Sequence, residues 1–164
     1  MYNEAVTSIK DNKSEKVLVC ITSQLNSERL IDKAAQLAEE MGAEFHILHV
    51  QRGDSIFNNS DTPDMMSRLC QYGSAKGGSI HFYCDEDVAL CIARFIAQRH
   101  ITKVVMGQPP VKDVNNINEL RKAADKVLHD IKTPVEVIVV PRDENVEDKH
   151  IYINMKEDLK FVIA

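Results

Sequence analysis

Lys103-Val104-Val105-Met106-Gly107-Gln108-Pro109-Pro110 reads as a buried strand that ends on a glycine and turns at once into two prolines. The apolar run predicts a strand covered on both faces, and Gly107 allows a close backbone approach where it stops. In an open α/β sheet, ligands sit at the carboxyl ends of the central strands. A loop that cradles phosphate through backbone amides needs further glycines, and Pro109 and Pro110 stand there instead. Proline lacks an N–H and fixes φ, so this loop is stiff and poor in anion-binding donors. The stretch predicts a ligand crevice whose phosphate loop has been rewritten.

Working outward, Lys16-Val17-Leu18-Val19-Cys20-Ile21-Thr22 is another near-continuous apolar run, as expected for a strand covered on both faces. Leu30, Ala34, Leu37, Ala38 and Met41 then recur at helical spacing, with Asn26 or Ser27 as the cap and Gly42 as the stop. Phe45-His46-Ile47-Leu48-His49-Val50 follows as the second strand, and the strand–helix–strand unit implies parallel pairing with a right-handed crossover. A polar loop over 51–62 leads to Thr62-Pro63, a cap and first helical position, then to a short helix striped by Met65, Met66, Leu69 and Cys70 and closed by Gly77-Gly78. Ile80, Phe82 and Cys84 alternate with His81 and Tyr83, which predicts a half-exposed edge strand.

Asp85-Glu86-Asp87 opens a third helix, striped by Val88, Ile92, Phe95 and Ile96. After the strand at 103–107, a fourth helix is striped by Ile117, Leu120, Ala124, Val127, Leu128 and Ile131. Val135–Val140 closes the series between Pro134 and Pro141. Five strands alternating with four helices predict an α/β fold, a doubly wound parallel sheet with helices on both faces. Residues 1–15 read as a flexible arm, 16–141 as the domain and 142–150 as a charged linker. Ile151-Tyr152-Ile153 and Leu159-Lys160-Phe161-Val162-Ile163 predict a C-terminal β-hairpin. An isolated hairpin is marginal in water, so it should pack on this sheet or on a second subunit.

With 164 residues the chain suffices for one domain with its own core. A formal net charge of −5 argues against general binding to a nucleic-acid backbone, which wants a basic face. No apolar run approaches the ~20 residues that span a bilayer. Met1-Tyr2-Asn3-Glu4 lacks the basic-then-apolar pattern of a signal peptide, which reads as a cytoplasmic protein. Cys20, Cys70, Cys84 and Cys91 show no metal-site spacing and read as buried packing residues rather than as ligands or a disulfide set.

No catalytic constellation emerges, so the expectation is a protein that is not an enzyme. His46 and His49 fall on opposite faces of a strand and cannot share one ion. Asp85-Glu86-Asp87 could hold magnesium, but an acidic helix start accounts for it. The strand ends Thr22-Ser23-Gln24, Val50-Gln51 and Met106-Gly107-Gln108 supply hydroxyl, amide and apolar groups suited to sandwich and hydrogen-bond an adenine-like ring.

The order of three segments resembles the universal stress protein (UspA-like) superfamily, and within it the Usp-type domain of KdpD potassium-sensing histidine kinases. The segments are Val17 to Ser23 followed by Ser27-Glu28-Arg29-Leu30-Ile31; Asp85-Glu86-Asp87-Val88-Ala89 through Val104-Val105-Met106-Gly107; and Ala124-Asp125-Lys126-Val127-Leu128 leading to Pro134 and Val135–Val140. The resemblance implies a Rossmann-like sheet of order 3-2-1-4-5, homodimerisation through the last strand, and a stress-response or signalling role based on binding. A sensor kinase or transporter is the implied partner.

ATP-binding members of that superfamily carry Gly-x-x-Gly and, further on, Gly-Ser or Gly-Thr. Here Gly107 matches, Pro110 stands at the second glycine, and Arg121-Lys122 falls near the closing pair, as side-chain charges that could meet phosphate. Thr22 stands where such members have an aspartate. Some KdpD-type domains bind cyclic di-AMP through Ser-x-Ser and Phe-Thr-Ala-x-Tyr; the matching positions here are Thr22-Ser23-Gln24 and Phe45-His46-Ile47-Leu48-His49, of which Thr22 keeps a hydroxyl and Phe45 matches. The candidate ligands are therefore AMP, ATP or cyclic di-AMP. The candidate site is Thr22, Ser23, Gln24, Val50, Gln51, Met106, Gly107, Gln108, Arg121 and Lys122.

Overall fold

Val17, Leu18 and Val19 are wholly buried in the middle of the first strand, with side chains that alternate between two apolar layers. That pattern requires cover on both faces, and the computed structural model of the protein shows it. The structure describes residues 15–21, 27–53, 62–107, 120–123, 134–142 and 145–153. The elements run β1 (Lys16–Cys20), α1 (Ser27–Met41), β2 (Glu44–Gln51), α2 (Thr62–Ala75), β3 (Ser79–Cys84), α3 (Val88–Arg99), β4 (Lys103–Gly107), β5 (Val135–Val140) and β6 (Lys149–Ile153). A helical turn at 120–123 belongs to the expected fourth helix, and the rest of that helix lies outside the described residues.

The sheet has six strands in the order β3-β2-β1-β4-β5-β6. The first five are parallel in the expected order 3-2-1-4-5, and β6 runs antiparallel to β5. On one face α1 and α2 cover Val17, Val19, Ile47, Val105 and Ile138. On the other, α3 and the turn at 120–123 cover Leu18, Leu48, Val104, Val137 and Ile151. The crossovers from β1 and from β3 therefore lie on opposite faces, and the chain reverses its winding between β1 and β4.

Local chemistry sets the element ends. Gly42 takes φ 62° after α1, a left-handed turn that glycine adopts without steric cost. Asp87 caps α3 by accepting from Leu90 N at 3.0 Å, and Asp85 Oδ1 accepts from Asp87 N at 2.9 Å. These bonds account for the acidic run as a helix start. β3 is the half-exposed edge the alternation predicted.

The tail packs on this sheet, one of the two expected placements, but its strand starts earlier than the expected linker allowed and pairs with β5. β6 begins at Lys149, inside the charged stretch, and pairs with β5 from Val135↔Ile153 to Val139↔Lys149. Its polar residues are satisfied on the sheet: His150 Nδ1 and the Tyr152 hydroxyl each lie 2.9 Å from Glu136 Oε2. Lys103 Nζ approaches Glu136 Oε1 at 2.8 Å. Ile151 and Ile153 turn into the core. The outer edge of β5, which the superfamily resemblance offered to a second subunit, is occupied by the chain's own sixth strand. The second arm of the expected hairpin, 159–163, lies outside the described residues.

Candidate functional site

The winding reverses between β1 and β4, and doubly wound sheets hold ligands at the carboxyl ends of the strands beside such a reversal. Backbone bonds tie this end of the sheet together. Ile21 N donates to Leu48 O at 3.0 Å, and Asp85 N donates to Gln51 O at 3.0 Å. Gly107 pairs with Val140 where β4 and β5 end. Of the residues singled out in the sequence, Val50, Gln51, Met106 and Gly107 therefore share one end of the sheet, on either side of β1, and all are half-buried. Val50 and Met106 pack on the α3 side of the core.

Thr22, Ser23, Gln24 and Gln108 lie outside the described residues. In the turn at 120–123, Leu120 and Ala123 enter the core, Arg121 is half-buried and Lys122 is exposed. Gly107 has φ outside the left-handed region, and a Cβ built on it would stand 3.4 Å from Leu30 Cδ1, an ordinary contact. The close neighbour that this glycine admits is thus an α1 side chain.

Two residues at this end stand outside the candidate site named from the sequence. Arg29, in the first turn of α1, donates from Nη1 to the Pro141 carbonyl at 2.6 Å, which fixes a cation beside the exit of β5. His49 is 6% exposed; its Nδ1 lies 2.9 Å from the Ile21 carbonyl and its Nε2 3.1 Å from Gln51 Oε1, with Phe82 edge-on to the ring. Both depend on partners far away in the chain, which a linear reading does not reveal.

A cleft of about 810 Å³ opens at the opposite end, where β2 and β3 begin, lined among others by Glu39, Glu44, His46, Lys76, Ser79 and Arg99. A relay runs along it: Glu44 Oε2 lies 3.0 Å from His46 Nε2, and His46 Nδ1 lies 3.1 Å from His81 Nε2. The hydrogen bond from His46 holds the Glu44 carboxyl below its usual range. Burial, then the Arg99 charge and His46, lower the pKa of His81. His46 packs against Phe95 of α3 while His49 packs against Phe82, in keeping with the strand alternation. The cleft is mixed in charge, with Ala35, Ala38, Ala43 and Phe45 beside its charged groups. The four cysteines are free; Cys20, Cys70 and Cys91 are half-buried, whereas Cys84 is exposed at the end of the edge strand β3 and is not the buried packing residue expected of it. Burial pushes the Cys20 thiol up to about 12, the state of an inert thiol.

Residues 13–141 match the universal stress protein family. The chain belongs to that family. Its Usp domain is similar to part of the sensor protein KdpD of Mycobacterium tuberculosis, with 28% identity over 57% of this chain and 11% of the relative. The KdpD of Clostridium acetobutylicum is 26% identical over 82% of this chain and 15% of the relative. The chain thus spans only a small part of the length of these curated relatives. Among solved structures, the universal stress protein of Archaeoglobus fulgidus in complex with dAMP has a TM-score of 0.54 at 16% identity, covering 76% of this chain and 96% of that one. A universal stress protein in complex with cAMP has a TM-score of 0.53 at 14% identity, covering 77% and 95%. At these identities the likeness shows the Rossmann-like fold. No helix among the described residues is long and apolar enough to cross a membrane.

Proposed function

We propose that this Usp domain is a non-catalytic, cytoplasmic signalling module that binds an adenine nucleotide in the crevice at the carboxyl ends of β1, β2 and β4. The observation that carries this reading is the convergence of Val50, Gln51, Met106 and Gly107 on the winding reversal, with Arg29 fixed at the same end. Half-buried Val50 and Met106 offer apolar surface for a purine ring, and Gln51 offers an amide. Arg29 supplies phosphate with a side-chain charge in place of the amides that Pro109 and Pro110 remove. The dAMP and cAMP complexes of family members support an adenine ligand. Similarity to KdpD supports a sensor kinase as the partner that reads the bound state.

Calorimetry with AMP, ATP and cyclic di-AMP tests the reading. Saturable binding of at least one is expected, with Arg29→Gln weakening it by about tenfold through loss of one charge-assisted contact. No heat with any of them at millimolar concentration would sink it.

A second reading, a homodimeric interaction module with a vestigial pocket, is favoured by one observation: β6 extends the sheet and, among the described residues, forms its edge. That reading predicts a dimer whose mass falls to that of a monomer when residues 142–164 are deleted. An unchanged dimer mass would remove the tail's role.

A further inference from the structure

His49 joins the end of β1 to the amide of Gln51, and its two contacts cannot both be met by a neutral ring in the recorded orientation. The Ile21 carbonyl only accepts, so the 2.9 Å contact requires hydrogen on Nδ1. A neutral ring then leaves Nε2 as an acceptor, facing Gln51 Oε1, also an acceptor, at 3.1 Å. Two states resolve the conflict. In one, His49 is an imidazolium and Nε2–H donates to Oε1, which leaves the Gln51 NH2 free on its far side. In the other, the ring is neutral and the amide turns by a half-rotation, so that NH2 faces Nε2 and Oε1 faces away.

The ring has little freedom to evade this choice. His49 is 6% exposed and its two nitrogens are both engaged, while Phe82 packs edge-on at 6.2 Å between centroids. The groups in polar or ring contact with it among the described residues are the Ile21 carbonyl from β1, Gln51 on its own strand and Phe82 from β3, none of them charged. On this face α1 and α2 bring apolar Leu30, Ile31, Met66 and Leu69 to the core. Gln51, by contrast, is only half-buried, at the carboxyl end of β2.

We propose that His49 sets the hydrogen-bonding polarity of the crevice: the proton on its Nε2 decides whether Gln51 presents a donor or an acceptor to a bound purine. With a neutral ring, Gln51 offers Oε1 and suits a 6-amino purine; with a protonated ring it offers NH2 and suits a 6-oxo purine. This rests on the nucleotide reading above, and it makes His49 a positioning residue that acts through Gln51.

Two measurements test it. The affinities of AMP and IMP are compared at about pH 8 and about pH 5.5, either side of the range in which histidine changes charge. Their ratio cancels the phosphate ionisation that both ligands share. The AMP preference should fall by at least about fivefold on acidification, the effect of one gained and one lost hydrogen bond. Gln51→Glu, which cannot exchange a donor for an acceptor by rotation, should remove that pH response. A ratio unchanged by pH, or a response that persists in Gln51→Glu, would overturn the proposal. The second measurement needs no ligand: imidazole nitrogen NMR of His49 should show a hydrogen on Nδ1 at both pH values, and Gln51→Leu should move the Nε2 resonance. If no nucleotide binds, the parent reading fails while this spectrum still decides the coupling; an Nε2 resonance indifferent to Gln51→Leu would refute it.

Discussion

Ile47 shows how single residues set the spacing of layers in this domain. It is wholly buried, and Gly73 of α2 and Gly78 beyond it both lie against its side chain. A Cβ on Gly78 would stand 2.6 Å from Ile47 Cδ1, and one on Gly73 would overlap the same methyl. The ring of packed neighbours leaves Ile47 little room to yield, so Gly73→Ala should cost about 1–3 kcal/mol, read as a lower denaturation midpoint. In the sequence Gly77-Gly78 is visible as a helix stop, while Gly73 sits inside a helical stripe and its role depends on a β2 side chain. The His46–His81 contact was equally invisible, since it spans two strands. It also carries a pH signature. The pKa of His81 is depressed in the folded state, so its contribution is present above the ordinary histidine value of about 6.5 and declines as pH falls through that value toward the folded one. Amide exchange in β3 should therefore quicken on mild acidification, and His81→Phe should flatten that response; exchange in β3 independent of pH after correction for intrinsic rates would refute the account.

The elements themselves were largely legible, because apolar runs and helical stripes encode burial on two faces directly. β1, β4 and β5 follow from such runs, and α1 and α3 from stripes and caps. β6 was half-read: Ile151-Tyr152-Ile153 signalled a strand, but Lys149 and His150 looked like linker because their partners lie on β5 and at its edge. Glu136 is the centre of that attachment. Burial would raise its carboxyl, but hydrogen bonds from Lys103, His150 and Tyr152 outweigh this and hold it below the usual carboxylate range. The sign follows: a depressed folded pKa stabilises above the ordinary value, and the stability is lost as pH falls through the folded value. Glu136→Gln should weaken β6 by about 1–2 kcal/mol, visible as faster amide exchange at Ile151 and Ile153 with β1 unchanged. Equal slowing or quickening across all strands would show that Glu136 acts on the whole sheet instead.

At the scale of the molecule, winding direction decides where function can sit. The crossovers of β1 and β3 lie on opposite faces, so the winding reverses beside the carboxyl ends of β1 and β4, while a mixed-charge cleft lies at the other end beside Glu44 and Arg99. The sequence pointed to the carboxyl end through Gly107 and the polar strand termini, without naming Arg29 or the contact between His49 and Gln51. The most direct test is backbone NMR of the whole chain titrated with AMP. The account predicts that shifts concentrate at Val50, Gln51, Met106 and Gly107, together with Arg29. Shifts confined to Glu44, Lys76, Ser79 and Arg99 at the opposite end would contradict it, as would none at millimolar ligand.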